Sequence, residues 1–382
     1  MDFQLTEEQK MLRASVADFI AKRVAPTIAS LEEGASVPPG LRKEMADLGV
    51  LGLCLPAEYG GSERPALDAM LVIELLAPVS FAVGVLVMEA NTGPGRIIEK
   101  LGSPELRTRT LPSLLAGEII IAPSMTEPEA GSALTDLQTK ARLVGGEYVI
   151  NGRKLFQHAD ADYFLLFARF TEERGARGIG AVLVSKDSPG FSWGSPQEFM
   201  GMKSPRSEMV LDNCRVPEEN LVVRPGDFKK LIGAFNLERC GNAACSVGVA
   251  QKALDLASGY AQQRKQFGKA ICDFQGIQFM LADMAMKVEA ARLLVHRAAA
   301  NAGRGFPAPL ETSLAKCFAN EIVREVSSMA LQIHGGYGYT TESEIERIFR
   351  DSWGWGIGGG TIQMHKIIIA SELLGRRFNL RM

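Results

Sequence analysis

Apolar residues recur at helical spacing toward both ends of this chain and give way in the middle to short β-rich runs, so no single layer of one element type accommodates it. Near the start, Leu12, Val16, Phe19 and Ile20 fall on one helical face, and Thr6 with Gln9 has the pattern of a capping box that opens it. Segments 40–50, 66–79 and 104–116 keep the helical period between Pro and Gly breaks. From about residue 119, runs such as Glu147–Asn151, Tyr163–Arg169 and Gly180–Ser185 are separated at close intervals by Gly, Asp, Ser and Pro, which predicts an antiparallel sheet or barrel. After Pro225 and Gly226 the helical period returns, with Leu281, Met284, Val288, Ala291 and Leu294 in one stripe, and Asn301–Pro309 reads as an interhelical loop. The expected class is α+β in three domains: helical over 1–118, barrel-like β over 119–225 and a helical bundle over 226–382.

The charge balance narrows the function. With 42 Lys plus Arg against 44 Asp plus Glu, the net charge of -2 supplies no field that would collect nucleic acid or anionic membrane. No stretch approaches 18 uninterrupted apolar residues, and the first 20 lack a basic start followed by an apolar core, so no membrane span or signal peptide is expected and a cytoplasmic location follows. Six scattered cysteines without a CxxC pair read as reduced thiols. His158, His296, His334 and His365 lack metal-ligand spacing, so no metal is expected, and no GxSxG or SxxK element suggests a serine hydrolase.

Several segments are suited to a flat, phosphate-bearing ligand, each with a plainer reading beside it. Ser124–Ser132 places small and hydroxyl residues at the helix-to-β junction, where backbone can approach a ligand closely or merely form a loop. Arg264-Lys265-Gln266-Phe267-Gly268 joins a guanidinium to a turn glycine, the pattern of a phosphate contact or of an ordinary helix cap. Gln332–Tyr339 carries closely spaced glycines after a helix, for main-chain contact to a dinucleotide or for a simple turn. Gly354, Gly356 and Gly359 satisfy GxGxxG, yet a helix-like segment precedes them and no acidic residue follows about 20 positions on, so no Rossmann unit is expected.

In this order, the segments resemble the acyl-CoA dehydrogenase family over essentially the whole chain. Thr126-Glu127-Pro128-Glu129-Ala130-Gly131-Ser132 is similar to the family's first signature, with Ala133 where Asp is usual. Gln332, Gly335, Gly336, Gly338, Tyr339, Glu342, Arg347 and Asp351 match the second, and Arg264–Gly268 and Asp273-Phe274-Gln275 resemble its RxxFG and FQ elements. The resemblance implies a C-terminal four-helix bundle, FAD as cofactor and a homo-oligomer, commonly a tetramer, with FAD held across a subunit interface. The implied cofactor contacts are Met125, Thr126, Ser132, Phe156, His158, Arg264, Gln266, Phe267, Gln275, Gln332, Gly335, Gly336, Thr361 and Gln363. Phe156 and His158 stand at the family's usual Trp and Thr positions, which places His158 near flavin N5 as a hydrogen-bond donor or as a structural substitution.

Ile357–Thr361 lacks the glutamate that many relatives use as base, while Asn236-Leu237-Glu238-Arg239 resembles the earlier helix that carries it in isovaleryl-CoA and long-chain dehydrogenases. Glu238 is therefore the implied catalytic base. On a helix it shares its face with Ala234, Phe235, Gly241 and Cys245, an apolar setting that raises a carboxyl pKa toward working pH. Ser132, Arg239 and Gly359 are the implied substrate contacts, Gly359 through its backbone N–H on the thioester carbonyl. The expected reaction is α,β-dehydrogenation of a short, branched or aryl-substituted acyl-CoA, with electrons leaving to an electron-transferring flavoprotein. Reduction, decarboxylation, desulfination or oxygenation on the same fold, and an inactive acyl-CoA-binding subunit, are the alternatives, the last suggested by Gly359, Ala133 and His158.

Overall fold

A computed structural model describes residues 4–378. Helices α1 (Glu7–Phe19), α2 (Ile28–Glu32), α3 (Pro39–Asp47), α4 (Ala66–Leu76), α5 (Phe81–Thr92), α6 (Pro94–Leu101) and α7 (Pro104–Leu115) come first. Strands β1 (Ile121–Ser124), β2 (Lys140–Val144), β3 (Glu147–His158), β4 (Tyr163–Arg169), β5 (Ile179–Ser185), β6 (Phe191–Pro196), β7 (Arg206–Pro217) and β8 (Leu221–Val223) follow. Helix α8 (Phe228–Gln263), a hairpin of β9 (Lys265–Gln266) and β10 (Lys269–Ala270), then α9 (Gln275–Ala302), α10 (Pro309–His334), α11 (Glu344–Gly354) and α12 (Ile362–Leu373) complete the chain.

The Thr6 hydroxyl accepts from the Gln9 amide while Gln9 returns a bond to the Thr6 amide, so α1 opens with the expected capping box. Helix α5 carries no helical period in the sequence for a physical reason. In α5 every residue but Leu86 is buried, so there is no polar face to alternate with an apolar one.

The sheet runs β6-β7-β3-β2-β4-β5-β8, with β1 beside β4. Most pairs are antiparallel, but β1 and β2 both pair parallel to β4, which corrects the expectation of a purely antiparallel sheet. The cause is burial. Strand β4 is covered on both faces, Leu165 and Phe167 on one and Phe164, Leu166 and Ala168 on the other, as strands in parallel arrangements usually are.

Buried polar ties fasten the layers where the site lies. Arg347 on α11 donates to the Pro78 carbonyl at the end of α4 and to Asp351, while Asp351 accepts from the Met202 amide between β6 and β7. Glu127 accepts from the Gln138 and Thr139 amides and from Lys154, whose Nζ lies 2.8 Å away and also reaches the Met125 carbonyl. Leu155 in turn donates to the Thr126 carbonyl, so the loop carrying Met125 and Thr126 runs against the end of β3. The Arg and Asp of the second signature and the Glu of the first thus hold the fold.

Candidate active site

Helix α5, the ends of β3 and β7, and the turn between α11 and α12 meet at Phe81. Its ring stacks on His158 at 6.5 Å, meets Trp355 at 5.4 Å, and has the Arg206 guanidinium 5.5 Å above it. Phe81 opens α5 only because Ser80 is extended before it, which aims this helix end at the sheet.

Glu238 lies on the inner face of α8 among buried Ala234, Phe235, Gly241 and Cys245. The residue is 6% exposed, and Oε2 is buried with no hydrogen-bond partner among the described residues. Burial pushes its pKa up to about 7, opposed by the positive charges of Arg239 and Lys316.

Glu89 on α5 is a second carboxyl of the same kind, which sequence reasoning missed. It is buried, its Oε2 also lacks a partner among the described residues, and a Cβ on Gly93 would stand 2.2 Å from that oxygen, so Gly93 makes its room. Burial and then the charge of Glu238 push its pKa well above the ordinary carboxylate value, with Arg206 opposing. Two coupled buried carboxyls do not ionise together; Glu238 ionises first and keeps Glu89 protonated. The signal in the sequence was a lone Glu inside an otherwise apolar or small-residue helix, Phe81–Thr92.

Next to Glu238, Arg239 Nε donates to the Gly359 carbonyl at 3.2 Å and its Nη1 to Asn236. His365 Nε2 lies 3.3 Å from the same carbonyl and its Nδ1 lies 3.0 Å from the Ser313 hydroxyl. A carbonyl only accepts, so the ring proton sits on Nε2 and Nδ1 accepts from Ser313. Burial lowers His365 to about 3, which keeps the ring neutral. Glu238, Arg239 and Gly359, separated by about 120 positions along the chain, are thus brought to one place.

The other expected contacts fall into two groups. Met125 and Thr126 run against the end of β3 that carries Phe156 and His158, and His158 stacks on Phe81. Phe156 has a left-handed φ of 64° and is 45% exposed at a break in the β3–β7 register, with its ring 5.7 Å from that of Phe199. His158 is held well below the ordinary imidazole pKa by burial and by Arg206, so it is neutral and offers one N–H. Thr361 caps α12.

The second group lines a cleft of about 500 Å³, where Arg264, Gln266, Gly335 and Gly336 meet Tyr260 and Tyr337. Cβ atoms added at Gly335 and Gly336 would meet nothing within 4 Å, so a ligand backbone has free approach. An anionic pyrophosphate fits this cradle, with a guanidinium on one side and open main chain on the other. Ser132, Phe267, Gln275, Gln332 and Gln363 are exposed, and Phe267 stands 93% free on the β9–β10 turn, apart from Glu238. Among the described residues no group of His, Cys, Asp and Glu is placed to hold a metal, and no helix is long and apolar enough to cross a membrane.

Comparison with known proteins gives this arrangement a family. The chain matches the acyl-CoA dehydrogenase N-terminal domain over residues 6–118, the middle domain over 122–214 and the C-terminal domain over 228–374. It is 38% identical over 376 residues to an acyl-CoA dehydrogenase of Bacillus subtilis, covering 97% of this chain and 99% of that one. It superposes on butyryl-CoA dehydrogenase from Megasphaera elsdenii with a TM-score of 0.93 at 33% identity, over 98% of this chain and 100% of the other. A glutaryl-CoA dehydrogenase from Mycobacterium smegmatis, solved in complex with FADH2, superposes with a TM-score of 0.91 at 27% identity, covering 99% and 97%. The chain belongs to the acyl-CoA dehydrogenase family and is an FAD-dependent oxidoreductase that dehydrogenates acyl-CoA thioesters.

Proposed function

We propose that Glu238 is the base that removes the α-proton of a short, branched or aryl-substituted acyl-CoA. The observation that carries this reading is its buried carboxyl, with Oε2 unpartnered and a pKa raised to about 7, beside the Arg239–Gly359 contact. An ionised carboxylate at that pKa is a stronger base than one in water, and Arg239 and Lys316 favour its ionised form before substrate enters. Bound FAD supplies the two-electron acceptor that takes hydride from the β carbon. Met125, Thr126, Phe156 and His158 hold its ring system, with the neutral His158 N–H as one donor, and Arg264, Gln266, Gly335 and Gly336 hold its phosphates. The backbone N–H of Gly359 polarises the thioester carbonyl as α-carbanion character develops, while the raised pKa of Glu238 lets it keep the proton it has taken.

The size of the acyl group is supported by packing beside the base. A Cβ on Gly241, one turn beyond Glu238, would stand 2.9 Å from both Met88 Cγ and Thr92 Oγ1, so α5 closes the pocket close to the carboxyl. Exposed Phe267 beside the dinucleotide cleft supports a homo-oligomer in which a second copy completes that cleft. Electrons then pass to an electron-transferring flavoprotein in the cytoplasm.

Anaerobic titration of the purified yellow protein with straight, branched and aryl-substituted acyl-CoAs tests the reading. A short, branched or aryl thioester bleaches the flavin band near 450 nm in the wild type, and Glu238→Gln slows that bleaching by at least about 100-fold while retaining flavin. Unchanged bleaching in Glu238→Gln removes this residue from the mechanism, and bleaching only by long straight chains overturns the substrate class.

A further inference from the structure

Lys316, in the middle of α10, is 1% exposed and makes no ion pair with a carboxylate among the described residues. Its Nζ lies 3.2 Å from the Trp355 carbonyl, 2.9 Å from that of Gly358 and 3.0 Å from that of Gly360. Three acceptors match the three N–H groups of an ammonium, and they favour keeping the proton although burial pulls the pKa down. Burying an amine costs several kcal/mol. A turn between two helices does not require that expense, because its carbonyls are satisfied by water when exposed.

The consequence lies in the peptide planes. No peptide in the described chain is cis, so each N–H points opposite to the carbonyl before it. With the Gly358 carbonyl on Lys316, the Gly359 N–H faces away from α10; with the Gly359 carbonyl on Arg239 and His365, the Gly360 N–H faces away from them. Neither amide donates a hydrogen bond among the described residues. Gly359 and Gly360 adopt left-handed φ values of 67° and 94°, and a Cβ on Gly359 would stand 3.4 Å from Lys316 Cε. Asn320 reinforces the grip, donating to the Trp355 carbonyl and to Asn242 while accepting from Ser246.

We propose that Lys316 is a positioning residue that holds the Gly358 and Gly360 carbonyls back and so aims the Gly359 amide at the thioester carbonyl of the substrate. This rests on the reading of Gly359 as the carbonyl donor. With its three N–H groups on backbone carbonyls, the ammonium acts through the turn and presets the direction of the donor, so no reorganisation of the turn is needed as charge develops.

The test is vibrational difference spectroscopy of an acyl-CoA carrying a 13C=O thioester, bound to flavin-loaded wild type, Lys316→Met and Glu238→Gln. In the wild type and Glu238→Gln the bound carbonyl stretch falls well below that of the free thioester. In Lys316→Met most of that fall is lost, kcat drops about 100-fold and KM moves less than about threefold. A wild type with no fall sinks the Gly359 reading itself, whereas a fall retained in Lys316→Met sinks the role of Lys316 alone. Lys316→Gln, which keeps a donor for one carbonyl, is expected to lie between the two and carries the same outcomes if the Met variant does not fold. Failure of both to fold also overturns the proposal, since the side chain would then serve the fold and not the amide.

Discussion

At the residue scale, the two buried carboxyls make separable predictions. Burial makes Glu238 of the free enzyme a weaker acid than an exposed carboxyl, so log kcat/KM climbs with pH up to about 7 and levels off above it. Glu89 stays protonated there, which means that Glu89→Gln leaves this limb where it is; a limb displaced downward by a unit or more would show that Glu89 is ionised in the working enzyme. Stability responds differently. A carboxyl whose folded pKa is raised stabilises the fold below its ordinary pKa and loses that contribution as pH rises through the folded value. Wild type should therefore lose thermal stability as pH rises from the ordinary carboxyl range through about 7, and Glu89→Gln should lose less, a difference that melting curves across that range read directly. Of this pair, Glu238 was legible through its resemblance to the earlier-helix base and its small, apolar helical face, whereas Glu89 was not. Its meaning comes from α8 lying across α5, a contact that no spacing within Phe81–Thr92 contains.

At the scale of elements, close approach rather than periodicity decides what the sequence conceals. Helix α1, with its cap and one-sided stripe, and strand β4, bounded by turn residues, were legible because local signals agree with their surroundings. Helix α5 was not, since burial on nearly all sides erases the pattern on which such a reading depends. The parallel pairing of β1 with β4 is likewise a tertiary choice. Helix α8 shows what these buried packings demand. At Gly248 it meets α4, where a Cβ would stand 2.1 Å from the Glu74 carbonyl oxygen, an atom of the backbone that has nowhere to go. The Glu74 side chain is fixed in turn by Arg292 of α9 at 2.8 Å, so the three helices are locked at one level. Gly248→Ala is accordingly expected to destabilise the fold by about 3 kcal/mol, as overpacking does in a well-filled core. Gly259→Ala on the same helix, where a Cβ meets nothing, should be neutral or slightly stabilising. Equal melting temperatures for the two variants would show that α8 has slack against α4.

At the scale of the whole molecule, the outer surface of the C-terminal bundle is unfinished. Phe279, Met286 and Leu293 on α9 are 60%, 63% and 41% exposed and recur every seven residues, which puts them on one outward stripe. Phe267, 93% exposed, is held out on the adjoining hairpin with a left-handed φ of 53°, a conformation that costs a non-glycine residue about 1 kcal/mol or more. Large apolar side chains held this far into solvent along one helix face are the kind of surface that association covers. The same hairpin carries Gln266 and leads from Arg264 into the cleft proposed for the dinucleotide, so on that reading association and flavin binding would share structure. If a second copy covers this face, two changes should separate the functions it joins. Phe279→Asp combined with Met286→Asp places charge at the middle of the stripe and lowers the mass measured by light scattering to that of smaller assemblies. Phe267→Asp leaves the helix stripe intact, so assembly persists, yet flavin is lost on dilution, with at least a tenfold rise in the concentration needed for half occupancy. Retention of both mass and flavin in these variants would show that the α9 face is solvent in the working protein and that the cleft of one chain holds the dinucleotide unaided.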